Sequence, residues 1–290
     1  MYLGRSELIL NADGSVYHLN LLPQDIATTI ITVGDPDRVA DVSKYFDCIE
    51  LKKGKREFQA HTGTLNNKRL TVISTGIGTD NIDIVLNELD ALVNIDFDKR
   101  CVKETRTKLD IIRIGTSGAI QSDILVDSFL LSEYAIGFDA LLHFYDSDKI
   151  LHHEISEAFV AQTGWSRSKS LPYVVKCDKS LAQQLASQSV LRGFTATNIG
   201  FYGPQNRKLR LNLSDETLHT KLRDFEFESL KITNLEMETS GIYGLSKLLG
   251  HRAVSLNCIL ANRTTGSFSN NPMKSVDKLI QYTLKHLTSR

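Results

Sequence analysis

The stretch LDIIRIGTSG, residues 109–118, sets an arginine inside an apolar, isoleucine-rich run and ends on two glycines. The first six residues predict a buried strand. Gly115 to Gly118 predicts a turn at its end. Arg113 is the residue that needs a physical reason, because burying a lone charge is costly. Either an internal carboxylate pairs with it, or an external anion does. A guanidinium presents a planar donor fork that suits phosphate oxygens, and turn N–H groups beside it would serve the same anion. Pattern alone leaves both readings open.

Working outward, the chain alternates apolar strands with helices. Residues 26–33 (IATTIITV) read as a strand that ends at Gly34-Asp35-Pro36, where a helix starts. Residues 69–75 (RLTVIST) read as another, stopped by Gly76 and Gly78. Ile82, Val85, Leu86, Leu89 and Val93 then fall on one face of a helix. Further strands are expected at 128–132, 194–201, 231–235 and 253–261 (AVSLNCILA). Ile242, Leu245, Leu248 and Leu249 mark a helix closed by Gly250, and an amphipathic helix runs from about Pro272. This order predicts an α/β fold with a mostly parallel central sheet. Ligands of such sheets lie beyond the carboxyl ends of the strands. No repeat or low-complexity linker divides the 290 residues, so one domain over 1–290 is expected.

Lys plus Arg (34) equals Asp plus Glu (34), and this zero balance argues against a nucleic-acid or membrane surface. Cys48, Cys101, Cys177 and Cys258 show neither a CxxC pair nor zinc spacing. They read as reduced, mostly buried residues. The first 19 residues carry Arg5, Glu7 and Asp13 and no apolar core of a signal peptide, so a cytoplasmic protein is expected.

Other residues invite two readings each. Arg38 follows the 34–36 turn and Arg56 sits in Lys55-Arg56-Glu57-Phe58; they are anion ligands or surface charges. Glu236 and Glu238 stand where a strand meets a helix. A carboxylate there can accept two hydrogen bonds from a sugar diol, or simply favour the helix N-terminus. In Phe201-Tyr202-Gly203-Pro204-Gln205-Asn206-Arg207, Gln205 and Arg207 can read the edge of an imide-containing base, or form a polar turn. His18 is structural, exposed or functional. No HExxH, GxSxG, Walker A or GxGxxG pattern occurs, so neither a metal, a redox cofactor nor a covalent nucleophile is expected.

Together these segments resemble the nucleoside phosphorylase superfamily, in its uridine phosphorylase branch. The matching blocks are VYHLNL (16–21), TVGDPDRV (32–39), KREF (55–58), STGIG (74–78), IRIGTSGAIQ (112–121), FYGPQNR (201–207), NLEMETSGIYGLSKLLG (234–250) and ILANRT (259–264), in family order. The resemblance implies a single α/β domain around a mixed, partly barrel-like sheet, in dimers that build a hexamer. It implies phosphorolysis of uridine, with inorganic phosphate as co-substrate. Gly34, Arg38, Arg113 and Thr116 would hold phosphate, joined by Arg56 of a neighbouring copy. Glu238 would bind the ribose hydroxyls, Met237 would pack on the sugar, and the neighbour's His18 would reach the 5′-hydroxyl. Gln205 and Arg207 would hold the uracil edge, Phe201 would line the base pocket, and Arg263 would support it from behind. Arg113, Thr116, Glu238, Gln205 and Arg207 would carry the catalysis. Purine-cleaving relatives carry an aspartate in the segment where this chain reads Leu260-Ala261-Asn262-Arg263. Some bacterial members hold a monovalent cation at the dimer interface; Glu57 and Ile77 match two ligands, and Asn81 replaces a serine. The base loop departs from the family's Tyr-Pro-Gly-Gln-Glu-Arg, and the charged segment 95–108 is longer than the bacterial pattern and expected to face solvent. Thymidine, deoxyuridine or purine nucleosides, hydrolysis in place of phosphorolysis, and a binding protein without turnover are the alternatives on the same fold.

Overall fold

The computed structural model describes residues 2–289. The chain begins its sheet with β1 (Thr29–Val33), whose five residues are all buried, as a strand covered on both faces must be. α1 (Asp37–Ser43) follows, then β2 (Cys48–Lys55), β3 (Phe58–Leu65), β4 (Lys68–Ser74) and α2 (Thr79–Asn94). The short β5 (Ile95–Asp96) and β6 (Cys101–Val102) precede β7 (Asp110–Ala119) and β8 (Phe129–Gly137). α3 (His153–Thr163), β9 (Tyr173–Lys176), α4 (Lys179–Gln184) and β10 (Val190–Thr197) come next. The last third holds α5 (Leu218–Asp224), β11 (Glu226–Phe227), β12 (Leu230–Glu236), α6 (Thr239–Leu249), β13 (Arg252–Asn262), β14 (Ser267–Phe268) and α7 (Pro272–Thr288).

Among the described residues twelve strands form one mixed sheet, in the order β11-β12-β10-β8-β13-β7-β1-β4-β3-β2, with β14 on β13 and β9 on β8. β4, β1, β7 and β13 run parallel, so their carboxyl ends share one edge. β12 also pairs antiparallel with the end of β7, Leu235 opposite Gly118 and Asn234 opposite Ala119. That extra pairing closes β7, β13, β8, β10 and β12 into a barrel-like ring. Register shifts at Ile259/Ala261 in β13 and at Gly193/Phe194 in β10 supply the local bending that closure requires. No described helix is long and apolar enough to cross a membrane.

The helices follow the apolar spacing. α2 buries Ile82, Val85, Leu86 and Leu89, and Leu92 rather than Val93 completes its face. α6 stops at Gly250, whose φ of 82° a glycine adopts without strain. One expectation fails. Gly115–Gly118 is no turn, because β7 continues through it to Ala119. The glycines there serve close packing. The Cβ of a residue at 115 would lie 1.8 Å from an Arg113 guanidinium nitrogen. The backbone donors proposed there for an anion are thus part of a strand. The strand expected over 194–201 is Val190–Thr197 instead, and residues 198–201 are loop. Of the cysteines, Cys177 and Cys258 are buried, Cys48 is exposed and Cys101 half-buried; all four are free. In the 95–108 segment, residues 104–108 are exposed as expected, while Arg100 ties down the N-terminal segment through the carbonyls of Leu3, Gly4 and Leu8.

Candidate active site

At the shared carboxyl edge, where β12 comes in against the end of β7, lies a cleft of about 710 Å³. Gly34, Arg38, Arg113, Thr116, Phe201, Gln205, Arg207, Met237 and Glu238 all line it. Residues from four separate sequence blocks therefore meet in one cavity. Arg56, His18 and Arg263 do not line it.

Arg113 is buried and points along the strand over Gly115. Its Nη2 donates to Glu238 Oε2 at 2.6 Å and lies 3.2 Å from Glu236 Oε2. Its Nη1 donates to Asn257 Oδ1 at 2.9 Å and to Ser255 Oγ at 3.4 Å. The internal ion pair is thus realised, and it stands on the cleft wall. Burial works against the charged guanidinium, but Glu236 and Glu238 outweigh it and raise its pKa. Ser255 and Asn257 were not anticipated. Their signal was two polar residues at period-two spacing in AVSLNCILA, one face of an otherwise apolar strand.

The two glutamates are held differently. Glu236 accepts the N–H groups of Glu238 and Thr239 at 3.0 and 2.9 Å and the hydroxyls of Thr197 and Thr239 at 2.7 and 2.8 Å. It anchors the entry of α6, where unpaired N–H groups and the helix dipole favour a carboxylate. Glu238 is held by Arg113 on one oxygen and by Gly78 N–H, at 2.9 Å, on the other. Burial raises its pKa, with Arg113 pulling the other way. A carboxylate offers about four lone-pair positions, so Glu238 keeps acceptor capacity toward the cleft.

Arg38 faces the same end of the cleft. Burial lowers its pKa, Asp35 opposes that, and Arg113 adds repulsion. Two guanidiniums converge here, which is an arrangement that a doubly charged anion relieves.

At the other end, Arg207 Nη1 donates to Gln205 Oε1 at 2.5 Å and lies over the Phe201 ring, 4.0 Å from guanidinium carbon to centroid. Burial lowers the pKa of Arg207. Arg263 donates to the Gln205 and Asn206 carbonyls from behind; burial, then Arg207, pushes it down to about 10. The altered loop has a physical reading: Asn206 sits at φ 58°, a left-handed conformation that asparagine tolerates better than glutamate. Its amide donates to Asp215 O at 2.7 Å.

His18 and Arg56 stand apart from this chain's cleft. His18 Nδ1 is 2.6 Å from Glu88 Oε1. Arg56 is exposed at the β2–β3 turn, with φ 56°.

Two stability results follow. Gly115→Ala should cost about 2–4 kcal/mol by dislodging the Arg113 guanidinium from its carboxylates. In an Arg113→Met background the same change should cost less, which denaturant unfolding of the four proteins measures. His219 on α5 has a buried, unpartnered Nδ1, and burial, then Arg263, lowers it from 6.5 to about 4. The unfolded chain therefore binds the extra proton between those values. Stability is full above the upper value and falls as pH drops through the window. His219→Gln should flatten that fall in melting temperature.

Residues 28–288 match the family description of the phosphorylase superfamily. A uridine phosphorylase of Escherichia coli is 30% identical over 258 residues, covering 88% of this chain and 89% of its own. One from Thermococcus kodakarensis is 28% identical over 260 residues, covering 88% and 80%. A crystal structure of a Trypanosoma brucei nucleoside phosphorylase, described as showing uridine phosphorylase activity, superposes with a TM-score of 0.87 at 29% identity, over 98% of this chain and 100% of that one.

Proposed function

The chain belongs to the phosphorylase superfamily, and on that premise we propose that it splits uridine with inorganic phosphate into uracil and ribose 1-phosphate. The observation that carries this reading is one cleft with two cationic ends, Arg38 with Arg113 and Gln205 with Arg207, and the Glu238 carboxylate lining it with them. The named relatives support uridine as the nucleoside.

The chemistry follows from charge. Phosphate is held by Arg38, Arg113, Thr116 and the backbone at Gly34, below the anomeric carbon of the ribose. Glu238 accepts the ribose hydroxyls, and Met237 packs against the sugar. As the bond from the anomeric carbon to uracil N1 breaks, its electron pair leaves with the base and positive charge grows on the sugar. The phosphate dianion stabilises that charge and then bonds to the same carbon, so no protein nucleophile is needed. Positioning phosphate at contact distance supplies much of the rate, and fixed donors at the departing base supply more. Gln205 Nε2 and Arg207 donate to the uracil oxygens. Gln205 Oε1 keeps a second lone pair for the base N3–H.

Purine chemistry is less favoured. Asn262, in the segment where purine-cleaving relatives carry an acid, turns inward and donates to the Gln121 and Ile124 carbonyls at 2.8 Å each.

His18 and Arg56 are assigned to the cleft of a neighbouring copy, in a dimer or hexamer; their distance from this chain's own cleft supports that assignment. No step is given to a cation: Asn81 stands in place of the serine ligand and packs over Gly76 beside Glu57. Four unpaired cysteines fit a cytoplasmic enzyme.

The substrate assignment is tested by a panel of uridine, thymidine, deoxyuridine, inosine and adenosine at saturating phosphate. Uridine should give the highest kcat/KM; a purine nucleoside at the top of the panel would refute the base assignment.

A further inference from the structure

Inside the barrel-like ring, Asn257, Ser132, Thr195 and Asn234 are fully buried and joined in one chain of hydrogen bonds. The chain runs in a single direction, and Arg113 sets it. A guanidinium has donors only, so the Asn257 atom that meets Nη1 at 2.9 Å is its oxygen. The Asn257 amide nitrogen then donates to Ser132 Oγ at 3.1 Å. Among the described residues the Ser132 hydroxyl has one other partner, Thr195 Oγ1 at 2.5 Å, so its hydrogen goes there. The Thr195 hydrogen goes on to Asn234 Oδ1 at 2.9 Å. The Thr233 hydroxyl also reaches that oxygen, at 2.8 Å, which fixes the two ends of the Asn234 amide.

The chain ends at Ser117, whose Oγ accepts Asn234 Nδ2 at 2.9 Å. Ser117 lines the cleft and is only 8% exposed. Its lone pair is engaged by the protein, and its hydrogen has no acceptor among the described residues. That hydrogen is left for whatever occupies the cleft. Were the chain reversed, Ser117 would donate to Asn234 and offer the cleft lone pairs only. Ser117 stands on the same strand face as Arg113, four residues further along β7. A Cβ on the next residue, Gly118, would lie 3.9 Å from Arg263 Cγ, and Arg263 donates to the Gln205 carbonyl. Ser117 therefore stands toward the Gln205 end.

We propose that Ser117 is a catalytic residue that donates a hydrogen bond to a carbonyl oxygen of the departing nucleobase. Asn257, Ser132, Thr195 and Asn234 are positioning residues that carry the donor direction from Arg113 to it. The proposal rests on the reading that uracil occupies the Gln205 end. It adds a donor from the barrel interior, outside the 201–207 loop, at the place where negative charge grows as the base leaves.

The test compares uridine with 2-thiouridine and 4-thiouridine, in which sulfur, a weak acceptor, replaces one carbonyl oxygen at a time. The proteins are wild type, Ser117→Ala, Thr195→Val, Thr195→Ser and the Ser117→Ala/Thr195→Val double variant. Ser117→Ala should lower kcat for uridine about tenfold and leave the phosphate KM unchanged. It should also reduce the preference for oxygen over sulfur at one of the two positions and keep it at the other. Thr195 does not line the cleft. Thr195→Val should nevertheless reproduce part of this loss, because the Asn234 amide can then turn over and take the Ser117 hydrogen. Thr195→Ser keeps the hydroxyl and should restore both readouts. The double variant should lose no more than Ser117→Ala. If wild type cleaves uridine and Ser117→Ala keeps its kcat, or its full sulfur discrimination at both positions, the inference fails and the proposed function stands. A tenfold rise in the phosphate KM of Ser117→Ala also overturns it. A folded Thr195→Val that matches wild type overturns the positioning role; if that variant does not fold, Ser117→Ala alone decides the donor. A wild type that does not cleave uridine overturns both readings.

Discussion

Arg113→Met is expected to lower kcat/KM for uridine by at least about a thousandfold and to destabilise the fold by about 3–5 kcal/mol. The two effects have separate causes. On the proposed reaction, catalysis loses the buried fork assigned to phosphate. Stability falls because Glu236 and Glu238, within 3.2 and 2.6 Å of the guanidinium, are left as uncompensated buried carboxylates. The pair of effects can be split. Arg113→Met combined with Glu238→Gln removes one orphaned charge, so stability should return in part while activity stays lost. Denaturant unfolding and steady-state kinetics on wild type, both single variants and the double variant decide it. A double variant that recovers activity would mean that Arg113 serves only to neutralise Glu238.

Glu238→Gln alone is the second large effect. The substitution keeps the shape and leaves an oxygen for Gly78 N–H. It removes the charge that, on the proposed reaction, accepts the ribose hydroxyls. The uridine kcat/KM should fall about a hundredfold, chiefly through KM. Phosphate should behave in the opposite sense. With one carboxylate fewer beside Arg113, repulsion toward the incoming dianion drops, and the phosphate KM should hold steady or fall. A parallel rise in both KM values would place Glu238 in the support of the cleft and not in contact with the sugar.

The parts of this fold that the sequence announces are those with a single physical cause. TIITV, RLTVIS and DIIRI are buried on both faces and read as apolar runs. α2, α6 and α7 bury a stripe at helical spacing. β2 and β3 escaped notice because one of them is an edge strand, CIELKKGK, whose polar residues sit in solvent. The 115–118 glycines misled for a definite reason: absence of a side chain signals a turn locally, whereas here it makes room for a guanidinium two residues earlier. The residues that line the cleft were legible as a set, because their segments resemble a known family in order. Their supports were not. Ser255 and Asn257 gain meaning only when β13 lies beside β7, Ser255 opposite Arg113.

The most direct test of the central claim is uracil release from uridine in matched buffers with and without inorganic phosphate, with the sugar product identified by phosphorus NMR. The account predicts release only with phosphate, and ribose 1-phosphate in equal amount. Release at the same rate without phosphate, yielding free ribose, would contradict it.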